Sequence, residues 1–194
     1  EGAGAPRPGL AVALADVPAE QRRTLVRWEP TRDGHLVVEG GPGSGRSSTL
    51  RLLGLAALAR GWHVHTLGEV LAGSAASGLG TVVDARDPRR AADLLDRLAR
   101  TRDAHPTLLL VDDLETVLAA LALVDRGAGP DLLVALARSA GVHLALASAR
   151  ALPGTLLAHV GSRVVLGDRS KAADVSRGVP TALAGLGGSP GRAV

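Results

Sequence analysis

The sequence contains no cysteine, which excludes disulfides, thiol nucleophiles and cysteine-based metal sites. It has no Phe, Tyr or Met and only two Trp. Isoleucine is absent too, so a core has to be built from Leu, Val and Ala; at 46% hydrophobic residues there is ample material for one. Lysine occurs once, at Lys171, and asparagine never. Residues with AT-rich codons are thus nearly missing, the mark of a very GC-rich genome. No apolar run reaches the roughly 18 residues of a membrane span, and no signal peptide opens the chain. The chain starts at Glu1 rather than Met, as expected of a domain excised from something longer.

Strong charge of one sign is lacking as well. The pI of 10.8 overstates the basicity, because arginine stands in for lysine and no tyrosine or cysteine titrates; the formal net charge is only +3. Acidic residues interleave with the arginines, the pattern of solvated helix faces. With so few aromatics the chain also lacks the stacking platforms of a nucleic-acid channel. Trp28 and Trp62 fit core positions better than an exposed apolar patch. His63 and His65 share one strand face, but no third ligand lies near them in sequence, so packing or surface roles are expected there rather than a metal.

A length of 194 residues suits one domain. Residues 1–9 read as a linker, and 10–34 as a lead-in of short apolar pieces around the polar stretch AEQRRT. Strands are expected at 35–40, 62–68, 81–86, 107–113, 143–149 and 163–167, from short apolar runs bounded by Gly or Pro. Helices are expected at 47–61, 88–103, 114–127 and 131–141, with Pro88 opening the second. The segment 71–80 reads as a loop and 171–178 as a helical turn. Strands alternating with helices predict an α/β fold with a mostly parallel central sheet. Residues 35–167 form its core and 168–194 a closing segment.

Against that background the stretch GGPGSGRSST (40–49) stands out. It follows a strand and precedes a helix, and it matches G-x-x-x-x-G-K-[ST] except for Arg46 at the lysine position. Such a loop lets main-chain N–H groups curl round phosphates while the helix aims its positive end at them. Gly40, Gly41, Gly43, Ser44, Gly45, Arg46, Ser47 and Ser48 are the expected nucleotide contacts, with ATP and Mg²⁺ as the cofactors. About 65 residues later LLLVDD (108–113) ends an apolar strand in two acids. Ser47 and Asp112 are expected at the Mg²⁺, and Asp113 as the acid that polarises the attacking water; the plainer alternative is that the two acids simply end a strand or cap the next helix. HLALASAR (143–150) puts Ser148 at a strand end, as a γ-phosphate sensor or simply as a polar turn. The predicted fold is therefore a P-loop NTPase, a RecA-like three-layer sandwich.

These residues resemble the FtsK/SpoIIIE-type ATPase domains, and more narrowly the second or third ATPase domain of EccC, the motor of type VII (ESX) secretion in actinobacteria. The likeness rests on GLAVALADVPAEQRRTLVRWEP (9–30), GHLVVEGGPGSGRSSTLR (34–51), GVHLALASAR (141–150) and the closing segment 162–194 with its PGRA ending. It implies a domain of a membrane-anchored, cytoplasm-facing parent, with neighbouring ATPase domains in the same chain. It also implies a possible ring oligomer and a pocket for the C-terminal signal of an Esx-type secreted protein, DNA being a weaker partner. Arg150 and Arg163 stand where an arginine finger given to a neighbour would fit.

The departures from the family pattern bear on activity. Arginine is longer, planar and forked, so it is no conservative stand-in for a P-loop lysine. Asp113 stands where motor members often carry Glu and is one methylene shorter. No strand with an Asp-x-x-Gly-Gly continuation is legible after the first helix, and Ala193 replaces the last glycine of PGRG. Together they imply a degenerate ATPase domain with weak or absent hydrolysis and a regulatory or signal-binding role. The alternative is an active ATPase domain of a hexameric DNA or protein translocase.

Overall fold

The computed structural model describes residues 9–101, 105–124, 129–168, 170–186 and 190–193. The linker expected over 1–9 lies almost wholly outside them. The lead-in is more ordered than its composition announces. β1 (Leu10–Val17) and β2 (Arg22–Trp28) form an antiparallel hairpin, followed by a single helical turn, α1 (Pro30–Asp33). Leu10 pairs with Trp28 across the hairpin, and both are buried. The Trp28 indole N–H donates to Gly34 O at 2.9 Å. The base of the hairpin is therefore core, while Leu14 and Leu25 near its tip remain exposed.

The remaining chain largely alternates strand and helix. It runs β3 (His35–Glu39), α2 (Arg46–Leu58), β4 (His63–Leu67), β5 (Leu79–Val83), α3 (Pro88–Arg100), β6 (Thr107–Val111), α4 (Leu114–Leu121), α5 (Gly129–Arg138), β7 (Val142–Ser148), α6 (Gly154–Leu157), β8 (Val160–Val165) and α7 (Lys171–Ser176). The exceptions are that β4 leads straight to β5 and α4 to α5. β5 begins two residues earlier than expected and takes Leu79 and Gly80 from the loop; β8 begins three residues earlier. The six strands β3 to β8 make one parallel sheet in the order β5-β4-β6-β7-β3-β8.

Alternation along each central strand sorts its side chains onto two faces. Val37, Leu109, Val111, Leu144 and Leu146 pack with α3, α4 and α5. Leu36, Val38, Leu108, Leu110, Ala145 and Ala147 pack with α2 and the base of the hairpin. This is the three-layer sandwich expected, with a sheet buried on both sides as parallel sheets require. α2 comes very close to the sheet at Gly54, where an added Cβ would lie 2.7 Å from Leu110 Cδ1. No helix among the described residues is long and apolar enough to cross a membrane.

Histidines fill polar gaps in this apolar frame. His35 is buried; its Nε2–H donates to Ala137 O at 2.8 Å and its Nδ1 accepts from Leu144 N at 3.1 Å. His65 Nδ1 likewise accepts from Thr81 N at 3.0 Å, and His143 rests against Trp62. Burial pushes all three imidazoles below their ordinary range. The unfolded chain therefore binds protons first as pH drops below about 6.5. Stability is full above that value and is lost on acidification towards the lower native values. Thermal melts are expected to show a falling Tm between about pH 7 and pH 5. His35→Gln, which keeps a donor and an acceptor without titrating, flattens that fall.

Candidate functional site

The carboxyl ends of the central strands converge on the loop between β3 and α2. Gly43 and Gly45 have φ of 73° and 108°, so the loop turns through conformations that side chains resist. Ser44 N donates to Gly41 O at 3.2 Å, closing the turn, and Gly40 N donates to Ser148 O at 3.2 Å, tying the loop to β7. Arg46 is the first residue of α2, a helix of 13 residues. The helix thus points its N-terminal N–H groups into the loop.

Two polar atoms buried in this loop have no partner among the described residues. One is Arg46 Nη1 and the other is Ser44 Oγ. An unpaired buried guanidinium nitrogen is costly, and an anion held in the loop would satisfy it. The residues present therefore fit a phosphate group. Gly41 sits hard against the closing segment, since a Cβ there would lie 2.7 Å from Asp168 Oδ2.

The topology also brings the acid to the loop. β6 lies two strands from β3, with β7 between them. Ser47 Oγ donates to Asp112 Oδ1 at 3.0 Å across 65 residues of sequence. A hydroxyl and a carboxylate side by side at the head of α2 are oxygen ligands of the kind Mg²⁺ takes. Ser48 is exposed beside them, and Thr49 Oγ1 turns back to Gly45 O at 3.0 Å.

The two expected catalytic groups are already engaged in the fold. Asp113 is exposed, occupies the N-cap position of α4 with φ of 92°, and accepts from Thr116 Oγ1 at 2.8 Å. Ser148 is buried, with its hydroxyl 2.8 Å from Glu115 Oε1 and 2.7 Å from Arg150 O. Of the arginines, Arg163 pairs with the buried Glu39 and donates to Arg177 O at 2.9 Å. Arg150 has its main chain fixed and its side chain exposed.

Glu115 is the residue that sequence reasoning passed over. Its Oε1 also accepts from the main-chain N–H of Ala149 at 2.8 Å and of Arg150 at 2.9 Å. One carboxylate oxygen thus holds the whole turn after β7 against α4. The only signal in the sequence is a third acid two places after Asp113.

The closing segment packs on the same loop from outside. Asp174, buried, accepts from Asp168 N and Gly185 N, each at 2.8 Å, and so folds the segment on itself. Gly191 N donates to Ser44 O at 2.7 Å, and Gly167 N to Arg192 O at 2.7 Å. Between this segment, β8 and the hairpin lies a groove of about 890 Å³, lined by Val12, Leu14, Val26, Leu166, Leu183 and Leu186 among others.

No protein-family model and no curated protein matches the sequence. Solved structures do. The fold is similar to Thermomonospora curvata EccC (ATPases 2 and 3) in complex with a signal sequence peptide, at TM-score 0.65 and 21% identity, over 90% of this chain and 39% of that one. It is similar to EssC (ATPases 2 and 3) from Geobacillus thermodenitrificans, at TM-score 0.65 and 14% identity, over 97% and 42% of the two chains. It is also similar to the pCW3 conjugation coupling protein TcpA, monomer form with ATPγS, at TM-score 0.63 and 16% identity, over 78% and 53%. The chain spans about half or less of each of these proteins. At such identities the likeness is one of fold, and that fold is the one the resemblance in the sequence implies.

Proposed function

We propose that this chain is a degenerate P-loop ATPase domain of an FtsK/SpoIIIE/EccC-like motor of type VII secretion, with weak or absent ATP hydrolysis and a regulatory or signal-binding role. One observation carries the reading. The lysine position of a correctly placed phosphate loop holds Arg46, half-buried with an unpartnered Nη1, directly before the Ser47–Asp112 pair. The nucleotide seat is thus kept while its charge-bearing arm is exchanged for a rigid fork.

In this reading the main-chain N–H groups from Gly41 to Ser48 cradle the phosphates, Arg46 pairs with them, and Ser47 and Asp112 hold Mg²⁺. Bound Mg²⁺ would neutralise charge developing on the phosphates. Asp113 is the acid that the sequence pattern offers to polarise water, and Ser148 the hydroxyl it offers to sense the γ-phosphate. Both already spend their side chains on the fold, which supports low turnover.

The groove beside the closing segment supports the signal-binding role. The EccC structure similar to this chain is in complex with a signal sequence peptide, and an apolar wall of leucines and valines suits a peptide's apolar side chains. Neighbouring ATPase domains, a membrane-anchored parent facing the cytoplasm and a ring assembly belong to the same proposal, with DNA the weaker partner. The intact Ser47–Asp112 pair favours the second reading, a working ATPase of a translocase. The purified chain is expected to bind Mg·ATP weakly by calorimetry, with turnover no higher than that of Asp112→Ala. Robust turnover abolished by Asp112→Ala decides for the translocase.

A further inference from the structure

We infer that Glu69, two residues beyond the end of β4, is the acid of this site that faces the cation and the attacking water, in the place the sequence assigns to Asp113. The inference rests on the nucleotide-site reading above. β4 is the strand next to β6 on the side away from β7. Asp112 N donates to Leu67 O at 2.8 Å, so the two strands end side by side. Gly68 then turns with φ of 104°, and a Cβ there would lie 3.0 Å from both Cβ and O of Asp112. Thr66 Oγ1 donates to Gly68 O at 2.8 Å and Gly68 N to Val83 O at 2.7 Å, which fixes the turn.

On the far side of Glu69 the chain meets the phosphate helix. Arg51 Nη1, one helical turn past Ser47, donates to Val70 O at 3.4 Å. Leu71 packs on Gly54, its Cδ1 within 2.9 Å of where a Cβ would stand. Glu69 is therefore held between a residue on Asp112 and a residue on α2, the two elements that carry the Mg²⁺ ligands. Its side chain is exposed, and it makes no hydrogen bond or ion pair among the described residues.

Four other acids at this edge hold partners, although Glu115 keeps its Oε2 buried and unpartnered among the described residues. Glu39 pairs with Arg163, Asp84 accepts from Arg86 N, Asp113 accepts from Thr116, and Glu115 holds the turn after β7. Glu69 is also a methylene longer than Asp113. In the step assigned to it, the Glu69 carboxylate takes one proton from a water. That water's oxygen bonds to the γ-phosphorus as the bond to the bridging oxygen breaks. The bonding pair stays on ADP, and the proton on Glu69 passes to solvent.

The test uses the whole chain with Arg46→Lys, which restores the ammonium. In that background Glu69→Gln is expected to lower turnover by about 100-fold and to exceed the loss from Asp113→Asn by about ten-fold. It is also expected to weaken Mn²⁺ binding to the nucleotide-loaded chain about three-fold or more, read by electron paramagnetic resonance. A loss from Asp113→Asn as large as that from Glu69→Gln overturns the inference, as does Mn²⁺ affinity unmoved by Glu69→Gln. So does an Arg46→Lys chain that binds Mg·ATP yet turns none over. A chain that binds no nucleotide by calorimetry overturns the nucleotide reading and this inference with it, so the two failures are told apart.

Discussion

Arg46→Lys is expected to tighten Mg·ATP binding by about ten-fold or more, a gain of at least about 1.4 kcal/mol. The reason lies in what the loop does to the side chain. Arg46 leaves its backbone at the first position of α2, just after Gly45 at φ of 108°, so the direction of its stem is fixed. Its guanidinium ends with Nη1 buried and unpartnered. A planar fork pairs well only where its plane matches the acceptor, whereas an ammonium carries three rotatable donors on a flexible stem and accepts any phosphate orientation. The measurement is calorimetric titration of both chains with Mg·ATP. Equal affinities would mean that Arg46 already serves the phosphates, and the degenerate reading would lose its main support. Adding Asp113→Glu is expected to change the affinity little, because Asp113 is exposed at the N-cap of α4 and its carboxylate is turned to Thr116. A gain in turnover from the second change alone would place the acid at Asp113 after all.

What the sequence made legible follows the range of the forces involved. The turn between β3 and α2 was readable because its glycines and the flanking strand and helix are all local. The Ser47–Asp112 pair was readable because an apolar strand ending in acid, after a loop of that kind, leaves few other places for the acid. The central strands β3, β6 and β7 announced themselves as buried runs, whereas the half-exposed edge strands β5 and β8 were legible only in part. The hairpin did not: β2 reads RRTLVRW, with basic and apolar residues mixed, and its strand character comes from pairing with β1. Its burial comes from Leu10 and Trp28 meeting the α2 face of the sheet. Ser148 was placed correctly at a strand end, but the direction of its hydroxyl depends on Glu115, 33 residues away in the chain. Glu69 was invisible for a similar reason. Only the packing of Gly68 on Asp112 puts it at the site, and nothing near it in sequence marks that contact.

Glu115→Ala is expected to cost about 3 kcal/mol of stability, because it removes one acceptor from three donors at once. Hydrogen bonds to a carboxylate are stronger than neutral ones, and these lie between 2.8 and 2.9 Å. The main-chain N–H of Ala149 and the hydroxyl of Ser148 sit in a half-buried to buried turn where water replaces the carboxylate poorly. In a domain of this size the loss corresponds to a fall in Tm of about 6 to 12 °C. Glu115→Gln keeps an acceptor oxygen in place without its charge, so about half of the loss is expected there. The pair of variants separates charge from shape, and equal melting temperatures for both would show that the charge is what holds the turn. The site should feel the change as well. Gly40 N donates to Ser148 O at the head of the phosphate loop, so loosening the turn after β7 frees the strand end on which that loop rests. Glu115→Ala is therefore expected to weaken Mg·ATP binding in the Arg46→Lys chain even below its melting range. A variant that melts early but binds as before would confine Glu115 to stability alone.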